Sequence, residues 1–219
     1  MASFPALRQA AAVRVAAPRW HAVELCERAA AVLLLAASAP LWIPCAVALA
    51  AFSGRSPLIA HRRVGWRGET LWMMKLRTMW GRGRDESRAW VEYVADEAGP
   101  EQKQSVDPRV GNRFAHFCRR HSIDEVPQLW HVIRGEMSLV GPRPVTASEV
   151  REHYGDDAVE ILQVKPGLAG LWQISGRNRL TWPERRALDL QFVRQRSLGM
   201  YTRILLRTLP EVWRGGNSW

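Results

Sequence analysis

The polarity pattern of the chain is dominated by one stretch, residues 29–52, AAAVLLLAASAPLWIPCAVALAAF, which contains no charged side chain. Its 24 residues exceed the roughly 20 that carry a helix across the hydrocarbon core of a bilayer. A buried core helix is the plain alternative, but core helices rarely run so far uncharged. Pro40 and Pro44 fall inside the stretch. Each lacks an N–H and crowds the carbonyl four residues earlier, at Ala36 and Pro40. A carbonyl freed in hydrocarbon needs a new partner, and Ser38 offers a hydroxyl nearby. The pattern predicts a broken, re-entrant membrane helix over 29–52. A secretory signal ending at Ala37-Ser38-Ala39 fits poorly: the apolar run continues 13 residues past Ala39, and 28 residues precede the run.

Downstream the pattern shortens. Residues 56–79, SPLIAHRRVGWRGETLWMMKLRTM, predict two extended segments joined at Gly65–Gly68. Residues 81–107 are polar and glycine-punctuated, a flexible insertion with a helix expected at 85–97. A further helix is expected from about Val126 to Ile133. Pro127 suits a first turn, and the residue before a proline avoids helical angles. Alternatively Ser122 caps the helix and Glu125 closes a capping box. Residues 163–178 are loop-rich, with glycines at 167, 170 and 176. Thr181 and Glu184 form a capping-box pattern that opens a helix over 181–197. In the last segment Leu198, Tyr201, Leu205 and Leu209 recur at helical spacing, with Arg203, Arg207 and Arg214 between them. This amphipathic helix, 198–213, either lies on a membrane surface with Trp213 as an anchor or packs on the domain's own core. The expected organisation is a basic N-terminal segment (1–28), the membrane helix (29–52) and a mixed domain (53–219). The fold class is α+β and mostly helical.

Charge sharpens the picture. Lysine and arginine number 31 against 21 acids, a net charge of +10, which points to a polyanionic partner: nucleic acid, an anionic membrane surface or phosphorylated substrates. Arg8, Arg14, Arg19 and Arg28 precede the apolar run, and Arg55, Arg62, Arg63 and Arg67 follow it. Arginine-rich flanks stay in the cytoplasm, so a straight span would have to export one of them, whereas a bent helix keeps both inside. Cys26, Cys45 and Cys118 lack metal-ligand spacing and do not form a disulfide framework, consistent with a reducing compartment. Eleven tryptophans suit interfacial anchors or base-stacking platforms.

The candidate chemistry lies in residues 119–144, RRHSIDEVPQLWHVIRGEMSLVGPRP. Asp124 and Glu125 sit side by side among basic residues, at the positive end of a predicted helix that favours their ionised form. An ionised carboxylate there serves as metal ligand or nucleophile, although acids at helix starts often do no more than stabilise the helix. Arg143 is held between Pro142 and Pro144, which limits the entropy it loses on gripping an oxyanion. Lys75, Arg77, Arg119 and Arg120 supply further cations. A divalent ion on a carboxylate, with arginines around it, neutralises a diphosphate.

In order and register, LWMMKLRTM, DPRVGNRFAHFCRRHSIDEVPQLWHVIRGEMSLVGPRP, VKPGLAGLWQISGRN and LDLQFV resemble the bacterial sugar transferases, the monotopic phosphoglycosyl transferases. The likeness covers roughly 53–213 and the preceding apolar run. It implies that Asp124 attacks the sugar-bearing phosphorus of a UDP-sugar, that UMP leaves, and that polyprenol phosphate then takes the phosphosugar from Asp124. It further implies that Glu125 binds Mg²⁺, and that Lys75, Arg77, Arg119 and Arg143 bind phosphate or uridine-side groups. The implied location is the cytosolic face of the inner membrane, in contact with its lipids, with interfacial amphipathic helices; a homodimer is left open. The chain departs from the family pattern at Tyr201, where members often carry Asp, and at Ala39-Pro40, where Ser-Pro is common. GLWQISGRN is similar to members with hexose donors that initiate exopolysaccharides. Two other readings compete: a basic nucleic-acid-binding protein, which leaves residues 29–52 and the acid pair unexplained, and an inactive membrane scaffold, against which both acids and the arginine motif stand intact.

Overall fold

The first element, α1, runs from Pro18 to Ser53, 36 residues, about 54 Å at 1.5 Å per residue. The structure, a computed structural model, describes residues 18–80, 90–95, 110, 112–176 and 179–214; most of the expected insertion and the first 17 residues lie outside them. The helix starts eleven residues before the uncharged run, because its polar first turns are held by the rest of the protein. Glu24 pairs with Lys165 at 2.8 Å. Glu27 Oε1 accepts hydrogen bonds from Ser138 Oγ at 2.5 Å, from the Leu139 N–H at 2.7 Å and from the Tyr201 hydroxyl. The expected break is not an interruption of helical structure, since α1 continues through Pro40 and Pro44. Ser38 Oγ donates to the Leu34 carbonyl at 2.6 Å and the Leu35 carbonyl at 3.2 Å, not to that of Ala36. Gly54 ends the helix at φ 65, in the left-handed conformation that glycine adopts without strain.

Three parts of α1 are buried in three different places. Trp20 packs with Val140, Ala169 and Phe192. Ala31 packs with Leu71, Met73 and Val132. Leu49 packs with Leu76, Cys118 and Ile123. Between them Leu33, Leu34, Leu41, Ile43 and Val47 are exposed. An apolar face of this length on one helix marks a membrane-associated protein.

Beyond α1 the fold is α+β, mostly helical. β1 (Leu58–Val64) and β2 (Thr70–Leu76) form the expected antiparallel hairpin, in register from Leu58↔Leu76 to Val64↔Thr70. β3 (Val91–Val94) adds to the other edge of β1 in parallel, giving the order β2-β1-β3. This corrects the helix expected at 85–97: its described part is a strand, built from Val91, Tyr93 and Val94, which favour extended backbone. Ala60 pairs with both Met74 and Tyr93, and its small side chain lets the Tyr93 ring reach Trp72 edge-on at 5.2 Å.

α2 (Arg113–Arg120) is capped by Asn112, whose side chain accepts from the Ala115 N–H at 2.8 Å. A 3₁₀ helix (Ile123–Gln128) runs into α3 (Leu129–Arg134). β4 (Ser138–Val140) pairs in parallel with β5 (Gly167–Ala169), and short helical turns fill Ala147 to Ile161. α4 (Leu171–Ser175), α5 (Trp182–Gln195) and α6 (Leu198–Arg214) complete the described chain. α5 opens on the expected capping box, with Glu184 Oε2 accepting from the Thr181 N–H at 2.7 Å. On α6 the expected apolar stripe divides. Tyr201 and Ile204 are buried in the core, while Leu198, Leu206 and Leu209 are exposed beside Arg203 and Arg207.

Candidate active site

The acid pair is delivered by a tight turn. α2 ends at Arg120, and Ser122 takes φ 55, ψ 22, a left-handed conformation uncommon for a residue with a side chain. The chain then enters the 3₁₀ helix at Ile123, with the Glu125 N–H donating to the Ser122 carbonyl at 3.0 Å. Asp124 and Glu125 therefore lie inside the first helical turn, not ahead of a helix starting at Val126. Pro127 is accommodated because the early turns of a helix leave their N–H groups unpaired. Ser122 makes no side-chain cap, and the Glu125 carboxylate turns to Lys75 instead of closing a capping box.

Lys75 comes from β2. Strand alternation places Leu71, Met73 and Lys75 on one face, and Leu71 and Met73 are buried against α3. Lys75 Nζ thus meets Glu125 Oε1 at 2.7 Å. The strand is pinned there by His131, whose Nε2 accepts from the Met74 N–H at 3.2 Å. His131 Nδ1 lies 2.6 Å from Glu136 Oε2, so Nδ1 carries the proton and the ring is a brace.

Asp124 is only 7% exposed. Burial pushes its carboxyl up from 3.8 to about 6; Glu125 adds to the rise, while Lys75 and Arg119 oppose it. Behind it, Cys118 on α2 shares a hydrogen bond with Cys45 on α1, and burial pushes the Cys118 thiol up to about 12. Arg119 Nε and Gln128 Nε2 are buried without a hydrogen-bond partner among the described residues. Buried donors of this kind are rare in a finished interior and suit a site that takes an oxygen-rich ligand.

The other two expected cations go elsewhere. Arg77 is 3% exposed; its Nε donates to the Ser56 carbonyl at 2.9 Å and its Nη2 meets Glu92 Oε2 at 2.5 Å. Its charge is used to fasten β2, the β1 approach and β3 together. Arg143 is near enough to Tyr154 and Arg185 to act electrostatically on both. Arg185, Trp172 and Trp182 were not among the expected site residues. Trp172 falls in the GLWQISGRN motif, while Trp182 and Arg185 carry only the TWPERR capping box, which speaks of helix geometry. Among the described residues no three His, Cys, Asp or Glu side chains converge as a metal cage. Of the pair, Glu125 is the partly exposed carboxylate that could hold a divalent ion whose remaining oxygens come from phosphates and water.

The site thus joins a buried carboxylate, a paired carboxylate and two cations, in a protein with a membrane-associated helix. Comparison with known proteins agrees. The bacterial sugar transferase family matches residues 19–215. The chain is 42% identical over 188 residues to the exopolysaccharide production protein ExoY of Rhizobium meliloti, covering 84% of this chain and 81% of that protein. It is 41% identical to a UDP-galactose-lipid carrier transferase of Erwinia amylovora, over 73% of this chain but 34% of that longer protein. It is 36% identical to a UDP-glucose:undecaprenyl-phosphate glucose-1-phosphate transferase of Caulobacter vibrioides, over 87% of this chain and 69% of the relative. The chain belongs to the bacterial sugar transferase family and is a phosphoglycosyl transferase.

Proposed function

We propose that the protein moves a hexose 1-phosphate from a UDP-sugar to polyprenol phosphate, with Asp124 carrying the phosphosugar between the two, as the first step of exopolysaccharide assembly. The observation that carries the reading is Asp124 itself: a buried carboxylate with Lys75 and Arg119 acting on it. The names of the Erwinia and Caulobacter relatives supply the donor and acceptor classes.

An oxygen of ionised Asp124 attacks the sugar-bearing phosphorus. An Asp–O–P bond forms, the bond to the bridging oxygen breaks, and UMP departs with that electron pair. A phosphate oxygen of the polyprenol phosphate then attacks the same phosphorus, releasing Asp124 as a carboxylate and giving polyprenol-diphosphate-sugar. Lys75 and Arg119 offset the charge that gathers on the phosphoryl oxygens. Glu125, 31% exposed, is the residue that would hold Mg²⁺, which when bound supplies charge neutralisation at the diphosphate. Burial of Asp124 keeps water from competing for the acyl phosphate.

The packing of α1 supports a monotopic placement on the cytosolic face of the inner membrane. Trp20 and Leu49 sit near opposite ends of the helix, yet both are buried against the same downstream domain. A helix gripped at both ends by one domain keeps both ends on that domain's side.

The test is to incubate detergent-purified protein with UDP-sugar labelled in the sugar, without acceptor. One equivalent of UMP and label on the protein are expected, with the label discharged by polyprenol phosphate and absent in Asp124→Asn. Turnover to product by Asp124→Asn at the normal rate would overturn the assignment.

A further inference from the structure

β2 is an edge of the three-stranded sheet, so every second backbone N–H along it points away from β1. The Arg77 N–H donates to the Pro57 carbonyl on the β1 side at 2.9 Å. Alternation turns the Met74 N–H the other way, where it donates to Nε2 of the buried His131 at 3.2 Å. A backbone N–H can only donate, so Nε2 must stay bare. Glu136 fixes that choice from the other side of the ring: its Oε2 lies 2.6 Å from Nδ1 and keeps the ring proton there. Glu136 is held in turn by Arg134, whose Nε meets Oε1 at 2.7 Å.

The local chain is shaped to make this pair. His131 and Glu136 are five residues apart, and a continuing helix would carry Glu136 away from the ring. Gly135 instead ends α3 at φ 74, and the Glu136 and Met137 N–H groups both fold back onto the His131 carbonyl, at 2.9 and 3.1 Å. A Cβ on Gly135 would lie 2.2 Å from Arg28 Nη2 of α1, so the turn needs glycine both for its angle and for its space. The consequence falls one residue along β2. Lys75 follows Met74, stands on the face of β2 whose Leu71 and Met73 pack with Val132 of α3, and pairs with Glu125 at 2.7 Å. The strand that aims Lys75 at the acid pair is thus tied on its outer edge to one imidazole nitrogen, in one tautomer.

We propose that His131, with Glu136 as its tautomer lock, is a positioning residue for the transfer: it holds the edge of β2 so that Lys75 stands at the acid pair. His131 touches neither substrate nor the reacting atoms and acts through Lys75. The inference rests on the proposed transfer for the step in which Lys75 takes part, and on the hydrogen bonds alone for the anchoring of β2.

The experiment has two readouts on the full chain in lipid nanodiscs. The first needs no substrate. In His131→Phe, which keeps a ring but no acceptor, the Met74 amide should exchange with deuterium about tenfold faster or more; in His131→Gln, whose amide oxygen can accept, it should exchange close to the wild-type rate. The second is UMP release from UDP-sugar and polyprenol phosphate, in a double-mutant cycle with Lys75→Met. His131→Phe should lower kcat about tenfold, with a smaller change in KM for the UDP-sugar, and His131→Gln should recover most of the loss. On the Lys75→Met background His131→Phe should cost little further, because its effect passes through Lys75. Should His131→Phe fail to fold, Glu136→Ala removes the lock from the more exposed end of the pair and should show the same coupling to Lys75. Wild-type Met74 exchange or wild-type kcat in these variants overturns the inference, and so do losses that simply multiply in the double variant, which would mark a general structural role. Absence of a label on Asp124 with the His131–Lys75 coupling intact sinks the covalent mechanism and leaves the positioning role standing.

Discussion

Replacing Asp124 by Asn should make the protein more stable while it abolishes turnover, and the gain should depend on pH in a defined direction. The folded protein holds the Asp124 proton to about 6, against 3.8 for the free side chain. A carboxyl whose folded value is raised favours the folded state while protonated, and that favour is lost as pH rises through about 6. Asparagine has the same shape and never ionises. At about 1.4 kcal/mol per pH unit between the two values, the full penalty on wild type is about 3 kcal/mol. It is about 1 kcal/mol at pH 4.5 and essentially complete by pH 7.5. For a chain of this length about 3 kcal/mol corresponds to roughly 6–12 °C in melting temperature. Thermal melts of wild type and Asp124→Asn in the same detergent, at pH 4.5 and 7.5, measure the difference of differences. A gap that widens toward pH 7.5 is expected. A variant less stable than wild type at pH 7.5, or a gap that ignores pH, would mean that Lys75 and Arg119 outweigh burial and that the carboxylate is a stabilising ion rather than a strained one.

Two further predictions concern the supports of the site. Glu27→Ala leaves the Ser138 hydroxyl, the Leu139 N–H and the Tyr201 hydroxyl without their common acceptor, and should cost about 2–4 kcal/mol in chemical denaturation; a loss below about 0.5 kcal/mol would show that water replaces the carboxylate. Tyr154→Phe removes the 2.9 Å hydrogen bond to Asp189 Oδ2, whose carboxyl is fully buried and pushed up to about 7 by that burial, against the opposing pull of Tyr154. The variant should lose about 1–2 kcal/mol, and more at pH 8.5 than at pH 6, because the unbonded carboxylate is harder to ionise; equal losses at the two pH values would refute the account.

What could be read from the sequence followed period and special residues. The β1–β2 hairpin was visible because alternating segments flank Gly65–Gly68, and α5 because Thr181 and Glu184 announce its start. The acid pair, Lys75 and Arg119 were visible as residue types; Lys75 pairs with Glu125, and Arg119 acts electrostatically on Asp124. Other features were hidden for physical reasons. The start of α1 was missed because Glu24 and Glu27 look like the end of an apolar segment, and only their distant partners Lys165, Ser138 and Tyr201 make them helix positions. β3 was missed because four residues inside a polar stretch become a strand only when β1 offers an edge. Arg77 reads like Lys75 in KLRT, yet the two residues meet different partners, Glu92 and Glu125. Arg185 was invisible because a cation held between two tryptophans has no spacing signature: Trp172 and Trp182 lie in different helices.

The arrangement at Asp124 makes sense as a set of charges left unresolved for a ligand. In the folded protein Lys75 is paired with Glu125, Arg119 Nε has no partner among the described residues, and Asp124 is desolvated beyond what its cations restore. The unpartnered donor and the desolvated carboxylate raise the free energy of the protein before substrate arrives. In the proposed mechanism a diphosphate entering the site would accept from Arg119 and compete with Glu125 for Lys75, leaving Glu125 to hold a divalent ion. A divalent ion there would offset the negative charge of the diphosphate and favour the ionised Asp124 that the proposed mechanism needs. On that mechanism the destabilisation measured by Asp124→Asn is what substrate binding would relieve: the same burial that weakens the fold would hold the nucleophile poorly solvated, and so reactive, until its phosphorus is in place.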